Sequence, residues 1–362
     1  MKIVSAFLNK IRPLFEKGGR FYRLWPVFQA LDNFLFLAPG INKKAPFGRD
    51  PLDVKRFMSM VILALLPSFV ASIYFFGWRV LLMLLVSYAA GGIVEVLFAV
   101  IRKEEINEGF LVTGFIFPLI LPPGLPLWMV AVGVAFGVFI GKEIFGGTGR
   151  NIFNPALVGR CFLSFGYPAT MASGWIKPAQ GGWGGITAPV LLKIPDAATS
   201  ATPLILIKSG PSPSLMDLFL GKTAGSAGET SALAILLGGV LLLIIGIANW
   251  RTVAATVISF LALSGILHAI APAAVNEPLY NLLSGGILFG AFFMATDPVT
   301  SPITQAGKWV YGILIGSVTV LIRGFAGYVE GVTFAILFGN ICAPLIDEVV
   351  IRLRIRRYAR ER

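Results

Sequence analysis

Long apolar runs alternate along this chain with short polar turns, and most of the runs are close to the length of a membrane-crossing helix. A hydrocarbon core of about 30 Å needs about 20 mostly apolar residues per helix. The third and eighth runs are shorter than the rest and end in turns that contain proline. The pattern predicts ten membrane helices, over residues 57–76, 79–101, 109–122, 126–142, 154–172, 232–249, 252–271, 281–296, 309–323 and 329–346.

The apolar runs form two groups of five, separated by a long polar segment. The expected fold class is therefore an all-α integral membrane protein with two transmembrane halves. Its expected parts are an N-terminal extension (1–56), a first half (57–172), a loop (173–231), a second half (232–346) and a basic tail (347–362).

Composition supports this interpretation and gives the chain an orientation. Hydrophobic residues make up 56% of the chain and charged residues 13%, about half the charged share of a soluble domain. Most lysines and arginines lie in the N-terminal extension, in the C-terminal tail and in loops on the same side. Because basic loops stay in the cytoplasm, we expect both termini to be cytoplasmic and the loop 173–231 to face outward. The same distribution argues against nucleic acid as the partner of the +12 net charge.

Few residues are suited to hold a metal ion, and no cleavable signal is expected. The chain has one histidine, His268, and two cysteines, Cys161 and Cys342, in separate apolar runs. A histidine-based metal site is excluded by this count, and each cysteine is interpreted as an ordinary buried thiol. The first 56 residues contain no apolar core ahead of a small-residue cleavage site.

Short motifs recur in the same order in the two halves. They are a proline turn, a Gly-x-x-x-Gly segment and an asparagine followed by an Ala/Pro pair, found at 117–118, 137–141 and 154–156 and again at 297–298, 312–316 and 340–344. A duplicated unit of five helices must reverse its orientation in the membrane. The order therefore predicts two inverted repeats whose broken helices meet near the midplane. The alternative is that glycine and proline are simply common in membrane helices.

The loop between the halves contains Asp-Ala-Ala-Thr-Ser-Ala-Thr at residues 196–202. This segment resembles the acceptor motif at which flavin transferases attach FMN to a threonine through a phosphoester bond. Thr202 occupies the acceptor position, and Asp196 and Thr199 match two of the other defined positions. Thr202 could instead be a plain loop threonine before Pro203, because short patterns of this kind occur by chance. A flavin fixed in an external loop of a membrane protein would indicate electron transport.

Glu95 is the only carboxylate well inside a predicted span. An intramembrane ionisable group is a functional candidate by default. Gly91 and Gly92 precede it and would let a flat ligand or another backbone approach closely. The alternative is that Glu95 lies near the cytoplasmic end of its span and pairs with Arg102 or Lys103.

Asp297 follows a short apolar run and precedes a proline. An acidic group there would suit the mouth of a cation path on the cytoplasmic side. The alternative is that Asp297 only caps a turn. Glu108 and Glu330 are weaker candidates, because each could be an ordinary carboxylate at a helix start, where the helix dipole favours it.

A dense polar turn, Gly-Gly-Thr-Gly-Arg-Asn-Ile-Phe-Asn-Pro at residues 146–155, joins two predicted spans. Asn151 and Asn154 supply amide donors and acceptors suited to a ring system. A tight turn needs one or two glycines, so the third favours a bound cofactor. The segment lacks the terminal Gly-Lys-Ser/Thr of a phosphate-binding P-loop.

Taken together, these residues resemble the B subunits of the sodium-translocating NADH:quinone oxidoreductases, in the superfamily that also holds the Rnf D subunits. The resemblance covers nearly the whole chain. Ser200 stands where the family has Gly or Ala, and residues 173–195 have the character of an insertion. The matching segments are 30–40, 53–58, 91–98, 107–110, 146–155, 293–298 and 307–316.

The resemblance implies a urea-transporter-like fold of ten helices in two inverted five-helix repeats, in a bacterial inner membrane. It implies covalent FMN on Thr202, non-covalent riboflavin near Asn151 and Asn154, and quinone reduction near the segment that holds Gly91, Gly92 and Glu95. It places sodium uptake at Glu95 and Asp297. Electrons would pass from FMN through riboflavin to quinone, coupled to sodium export. Implied partners are the other subunits of a respiratory complex, which hold the NADH site, and a flavin transferase.

Two other functions are compatible with the same pattern. The D subunit of an Rnf-type NADH/ferredoxin complex would carry flavin but no quinone step; such subunits usually start close to their first membrane helix, unlike this chain. A passive solute channel of the same fold would carry no flavin. Fold alone does not separate these functions, so the bound cofactor must.

Overall fold

The computed structural model describes residues 54–103, 109–179, 184–186, 204, 213–272, 274–326, 328 and 330–360, together with Pro13 and Trp25. Within these residues every regular element is helical. The helices are α1 Val54–Phe76, α2 Arg79–Arg102, α3 Gly109–Leu119, α4 Leu127–Gly141, α5 Pro155–Gly166, α6 Pro168–Ser173, α7 Leu215–Leu220, α8 Ala232–Ile245, α9 Trp250–Ile270, α10 Pro278–Leu283, α11 Ile287–Phe289, α12 Gln305–Phe325 and α13 Val332–Arg360. Short 3-10 turns occur at Glu143–Phe145 and Gly184–Ile186, and a π-helical turn at Gly290–Met294 continues α11.

The all-helical membrane class is confirmed, whereas ten full-length spans are not. Six of the described helices are long and apolar enough to cross a bilayer: α1, α2, α4, α9, α12 and α13. The apolar helices α3 and α8 have 11 and 14 residues. The predicted span 154–172 is interrupted at Tyr167, and the span 281–296 is interrupted at residues 284–286. The short helices α3 and α8 and the fragments of the two interrupted spans therefore reach only part of the way across the hydrocarbon core.

The break after α3 illustrates how irregular backbone is stabilised inside an apolar protein. Backbone polar groups at membrane depth must find partners within the protein. Arg79 is buried, and its guanidinium donates to the carbonyl oxygens of Pro123 (2.8 Å) and Leu125 (2.9 Å). The N–H groups of Ala227 and Gly228 donate to the carbonyls of the segment 119–121 at 3.0 and 2.7 Å.

The two halves use the same pairs of neighbouring helices. In the first half α4 packs on α2 and α5, and α3 packs on α1 and α2. In the second half α12 packs on α9 and α13, α10 packs on α9, and α11 packs on α8. Across the halves, α1 packs on α8 and α5 packs on α13. Buried apolar residues of both halves form one continuous core cluster.

Candidate functional site

A cavity of about 70 Å³ lies between the two halves. Its wall combines apolar side chains with a few polar groups, as is typical of small-molecule sites. The structure therefore brings together three residues singled out from the sequence: Asn151, Asn154 and Asp297. The lining residues are Phe57, Met58, Val61, Gly109, Val112, Thr113, Ile116, Lys142, Thr148, Asn151, Asn154, Pro155, Leu242, Ile247, Phe292, Phe293, Thr296, Asp297, Pro298 and Val299.

In the glycine-rich turn that forms one wall of this cavity, all three glycines have backbone conformations that favour glycine. Gly146, Gly147 and Gly149 have φ angles of 111°, 90° and 90°, in a region that side-chain-bearing residues rarely adopt. The expectation that the third glycine exceeds the needs of a turn is therefore wrong. The turn folds back over the end of α4 through hydrogen bonds from Gly146 N–H to the Glu143 carbonyl and from Gly147 N–H to the Lys142 carbonyl.

Both asparagines are fixed at the cavity wall by local hydrogen bonds. Asn151 donates from Nδ2 to the Phe153 carbonyl at 2.9 Å, and its Oδ1 accepts from Gly149 N–H at 3.3 Å. Asn154 is the N-cap of α5, with its Oδ1 accepting from Ala156 N–H at 3.1 Å. The N-cap satisfies one of the free amides at the helix start. The two side chains are thus oriented before any ligand binds.

Thr148 is a cavity residue that no sequence pattern singled out. Its hydroxyl oxygen is buried and has no hydrogen-bond partner among the residues that the structure describes. An unsatisfied buried hydroxyl costs about 1–3 kcal/mol. Such a group at a cavity wall is suited to a polar ligand atom, and the local sequence does not distinguish it from an ordinary loop threonine.

Asp297 both closes a turn and faces the cavity. Its Oδ1 accepts from Val299 N–H and its Oδ2 accepts from the Thr300 hydroxyl, each at 3.1 Å. Desolvation by the surrounding protein raises the pKa of this carboxyl above its ordinary value, and the two hydrogen bonds oppose that effect. The turn-capping alternative is therefore confirmed, and it coexists with a position at the cavity.

Glu95 belongs to a buried ion-pair network that we call the Glu95 cluster: Glu95, Arg102, Lys142 and Glu143. Lys142 Nζ lies 2.6 Å from both carboxylate oxygens of Glu95. Arg102 Nη1 lies 2.7 Å from Glu143 Oε2, and its Nη2 donates to the Glu143 carbonyl. The partner of Glu95 is therefore Lys142, and not Arg102 or Lys103 as the alternative interpretation had it. Lys142 also lines the cavity, and it connects Glu95 to that site.

Gly91 and Gly92 accommodate an aromatic side chain of the protein itself. A Cβ atom on Gly91 would lie 2.6 Å from Phe110 Cε2, and one on Gly92 would lie 3.6 Å from Phe110 Cε1. The Phe110 ring in turn packs edge-on against Tyr88, with ring centroids 6.0 Å apart. The close approach expected at these glycines is thus made by Phe110, and the structure brings neither glycine to the cavity wall.

A second buried network, the Arg160 cluster, consists of Arg160, Ser226, Glu229 and Glu330. Arg160 Nη1 lies 2.9 Å from Glu229 Oε1, its Nη2 lies 3.4 Å from Ser226 Oγ, and its Nη2 also donates to Glu330 Oε2. Glu330 Oε1 accepts from Gly286 N–H at 2.9 Å. Glu330 was a weaker candidate as a carboxylate at a helix start, and Glu229 was not singled out. The sequence around these two carboxylates does not indicate that they pair with an arginine far away in the chain.

The flavin-acceptor segment lies outside the described residues. This applies to Asp196, Thr199 and Thr202, so their assignment rests on the sequence motif alone. It applies also to Glu108 and to most of the N-terminal extension.

Comparison with known proteins places these features in a family. The profile of the NQR2, RnfD, RnfE family matches residues 41–356. A relative from Azotobacter vinelandii, named as the B subunit of a Na(+)-translocating NADH-quinone reductase, is 42% identical, with 98% of each chain covered. Relatives of the same name from Ectopseudomonas mendocina and Neisseria meningitidis are 40% and 39% identical, again with 98% of each chain covered. The chain therefore belongs to the NQR2, RnfD, RnfE family.

Proposed function

We propose that this chain is the membrane subunit of a sodium-translocating NADH:quinone oxidoreductase complex in a bacterial inner membrane. The observation that carries the proposal is the cavity between the halves, where the polar residues Asn151, Asn154, Thr148 and Asp297 meet in an otherwise largely apolar wall. Family membership and the name shared by relatives that match over their whole length point to the same function. NADH would bind to a partner subunit, because the proposed role of this chain is confined to the membrane.

The proposed architecture is ten helical elements in two inverted repeats, with both termini cytoplasmic. The matching neighbour pairs of the two halves support it. The side-chain oxygen of Asn340 can accept from the backbone N–H of Asn154 at 3.3 Å, while the Tyr311 hydroxyl lies 2.8 Å from the Asn340 amide. Asn154 and Asn340 are the corresponding asparagines of the recurring motifs. Their contact is what two inverted units meeting near the midplane would produce.

The cavity is the proposed site of non-covalent riboflavin. The residues present fit such a group: two amides fixed by their own hydrogen bonds, an unsatisfied hydroxyl and the aromatic rings of Phe292 and Phe293. A flavin bound there would supply one-electron transfer chemistry. Asn151, Asn154 and Thr148 would orient it through hydrogen bonds to its polar edge, and the phenylalanines would exclude water from its ring system.

Sodium uptake is proposed to involve Asp297 and the Glu95 cluster. Within the part of the chain that the structure describes, the Asp297 carboxylate accepts hydrogen bonds from Val299 and Thr300 and forms no ion pair, so it can attract a cation into the cavity. Glu95 is neutralised by Lys142. A cation could therefore use Glu95 only when Lys142 moves away, and Lys142 lies between that carboxylate and the cavity. Quinone reduction is proposed for the neighbouring region of Gly91, Gly92 and Glu95.

Covalent FMN on Thr202 is the external part of the proposed electron path. The support is the motif with Asp196 and Thr199 in the outward loop, together with the family. The Rnf-type D subunit is the alternative that this feature does not exclude. The relatives described above are all named as B subunits of the sodium-translocating enzyme, which favours the quinone-linked function.

The experiment measures both flavins on the same preparations, co-expressed with a flavin transferase. Thr202→Ala should lose an FMN-sized mass adduct and the in-gel fluorescence that survives denaturation, whereas the loop control Thr223→Ala should keep both. Thr148→Val should lower the content of extractable riboflavin. The control Thr333→Val removes another buried hydroxyl without a described partner, away from the cavity, and should leave the riboflavin content unchanged.

Each result bears on a different part of the proposal. An adduct that persists in Thr202→Ala would contradict the acceptor assignment. Unchanged riboflavin in Thr148→Val, with the Thr333→Val control also unchanged, would contradict the cavity as the riboflavin site. No flavin of either kind in the wild-type chain would favour the solute channel, and flavin without quinone reductase activity in the assembled complex would favour the Rnf-type function.

A further inference from the structure

The last helix continues well past the end of the helix beside it. α13 has 29 residues, which corresponds to about 44 Å at 1.5 Å per residue. Asp347 marks the point at which it passes the start of α12: its carboxylate oxygens accept from Ile303 N–H at 2.7 Å and from Thr304 N–H at 3.0 Å. Residues 348–360, which we call the C-terminal extension, lie beyond that point.

The start of α12 is also the level of a membrane–water interface. Trp250 and Trp309 pack edge to face there, with ring centroids 5.8 Å apart. Arg251 lies over the Trp250 ring at 4.8 Å and donates to Gln305 Oε1 at 3.0 Å. Tryptophan and basic side chains at helix ends are typical of the headgroup region. The C-terminal extension therefore begins in the headgroups and continues into the aqueous phase.

Most of the extension lies out of reach of a lipid surface. Its thirteen residues add about 20 Å of helix beyond Asp347, whereas the headgroup layer is roughly 5–8 Å thick on each side. The proline of this helix, Pro344, comes before the extension, so no proline bends the last turns back to the bilayer. Attraction to anionic headgroups falls off within a Debye length of about 8 Å. Lipid headgroups can therefore contact only the first turns of the C-terminal extension.

The surface of the extension has the composition of a protein interface. Ile351, Ile355 and Tyr358 are spaced by four and three residues, so they share one face of the helix. They are 45%, 61% and 69% exposed in this chain. Tyrosine and arginine are enriched at interfaces, and the buried centre of an interface is more apolar than its rim. The extension also contains five arginines and one acidic residue: Arg352, Arg354, Arg356, Arg357, Arg360 and Glu348.

We propose that the C-terminal extension is a docking helix for an acidic, partly apolar surface on a cytoplasmic partner subunit of the complex. The positive charge of the extension favours an acidic partner over the basic N-terminal segment of the same chain. The N-terminal 53 residues of the same chain carry more basic than acidic residues, so they would repel the arginines rather than cover them. The proposal rests on the proposed function only in requiring that the chain assembles with other subunits.

The test uses a single cysteine at the exposed end of the Ile351–Ile355–Tyr358 face. Tyr358→Cys is made with Cys161→Ala and Cys342→Ala, and its rate of reaction with a membrane-impermeant maleimide is measured in three preparations. These are the assembled complex, the isolated chain in detergent, and the isolated chain in vesicles rich in cardiolipin and phosphatidylglycerol. We expect labelling about tenfold slower or more in the complex than in either other preparation, which corresponds to about 1.4 kcal/mol of protection.

A charge-matched pair of variants identifies the cause of the protection. Arg354→Glu with Arg356→Glu should restore fast labelling in the complex, whereas Arg354→Lys with Arg356→Lys should keep it slow. Equal labelling rates in the complex and in the isolated chain would overturn the proposal. Slow labelling in anionic vesicles without partner subunits would also overturn it, in favour of lipid headgroups.

The readout does not depend on flavin or turnover. Protection found in a complex that lacks both flavins would contradict the proposed function and support the docking helix. Flavins found in a complex whose Tyr358→Cys is not protected would support the proposed function and contradict the docking helix. A chain that purifies alone under conditions that preserve membrane complexes would overturn the docking helix and leave the flavin measurements to decide the function.

Discussion

The Glu95 cluster and the Arg160 cluster are both buried ion-pair networks, yet they connect different parts of the molecule. The Glu95 cluster is confined to the first half, where Lys142 and Glu95 are 47 residues apart and Arg102 and Glu143 are 41 apart. In the Arg160 cluster, α5 of the first half is joined to Glu229 and Glu330, which flank the helices of the second, over separations of 69 and 170 residues. One network organises a helix pair beside the cavity, and the other ties the two halves together.

The difference indicates how much stability should be lost when one charge of each network is removed. Lys142 neutralises Glu95 next to a cavity where ligands and ions are proposed to move, so this ion pair has room to separate. Arg160 is held by two carboxylates at once, and Glu330 is also fixed by Gly286 N–H. Removing one partner of a buried pair is more damaging than replacing the whole pair, because it leaves an uncompensated charge. The Arg160 cluster should therefore be more sensitive to the loss of one partner than the Glu95 cluster.

The largest effect is expected for Arg160→Met. The variant removes the guanidinium that pairs with both Glu229 and Glu330, and we expect a loss of about 3–5 kcal/mol in stability. Thermal unfolding followed by size-exclusion chromatography in detergent measures it. The matched control is Arg352→Met, which removes an exposed arginine paired with Glu348 and should cost less than about 1 kcal/mol. Similar unfolding midpoints for the two variants would show that the Arg160 cluster does not hold the halves together.

A smaller and more local effect is expected for the Glu95 cluster. Lys142→Met or Glu95→Gln alone should destabilise the chain by roughly 3 kcal/mol, whereas the double variant should cost less than either single one. Hydrogen exchange should rise in α2 and α4 but not in α13, whereas Arg160→Met should raise it in α5 and α13. Additive losses in the double variant, or increased exchange in α13, would mean that the two networks are not separate.

The smallest effect is expected for Gly286→Ala. Its Cβ would lie 2.2 Å from Glu229 Oε1 and 2.7 Å from Glu330 Oε1, so the carboxylates must shift away from Arg160. We expect a loss of about 1–3 kcal/mol, as is usual for overpacking. The control Gly166→Ala adds a methyl group with no atom within 4 Å and should change the stability by less than about 0.5 kcal/mol. An unchanged unfolding midpoint in Gly286→Ala would indicate that Glu229 and Glu330 can rearrange freely.

Much of the helical layout could be predicted, because apolar runs are a local property of the sequence. Each predicted span overlaps one helix or a broken pair. Asn151, Asn154 and Asp297 were singled out separately, and their meeting at one cavity was not predicted. The lengths of the individual helices could not be predicted from the sequence. Proline and glycine signal a break, but its position depends on which distant groups satisfy the freed backbone, as Arg79 does for residues 123–125.

The charge pairs were the least predictable part of the site. Lys142 and Arg79 lie at the ends of predicted spans, where a charged side chain usually reaches water, yet both are buried. Pairings such as Lys142 with Glu95 or Arg160 with Glu330 depend on three-dimensional packing between segments far apart in sequence. Thr148 gave no signal at all, because an unsatisfied hydroxyl becomes visible only when its surroundings are known.

The wide separation within the Arg160 cluster has a consequence for biogenesis. A ribosome adds about 5–20 residues per second, so Glu330 emerges roughly 10 to 30 s after Arg160, from which it is 170 residues distant. Throughout that interval α5 must be accommodated by the insertion machinery with its guanidinium lacking one of its two carboxylates. Insertion of the chain is therefore completed only by its last helix, and nascent chains truncated before Glu330 should be preferred substrates for membrane quality control.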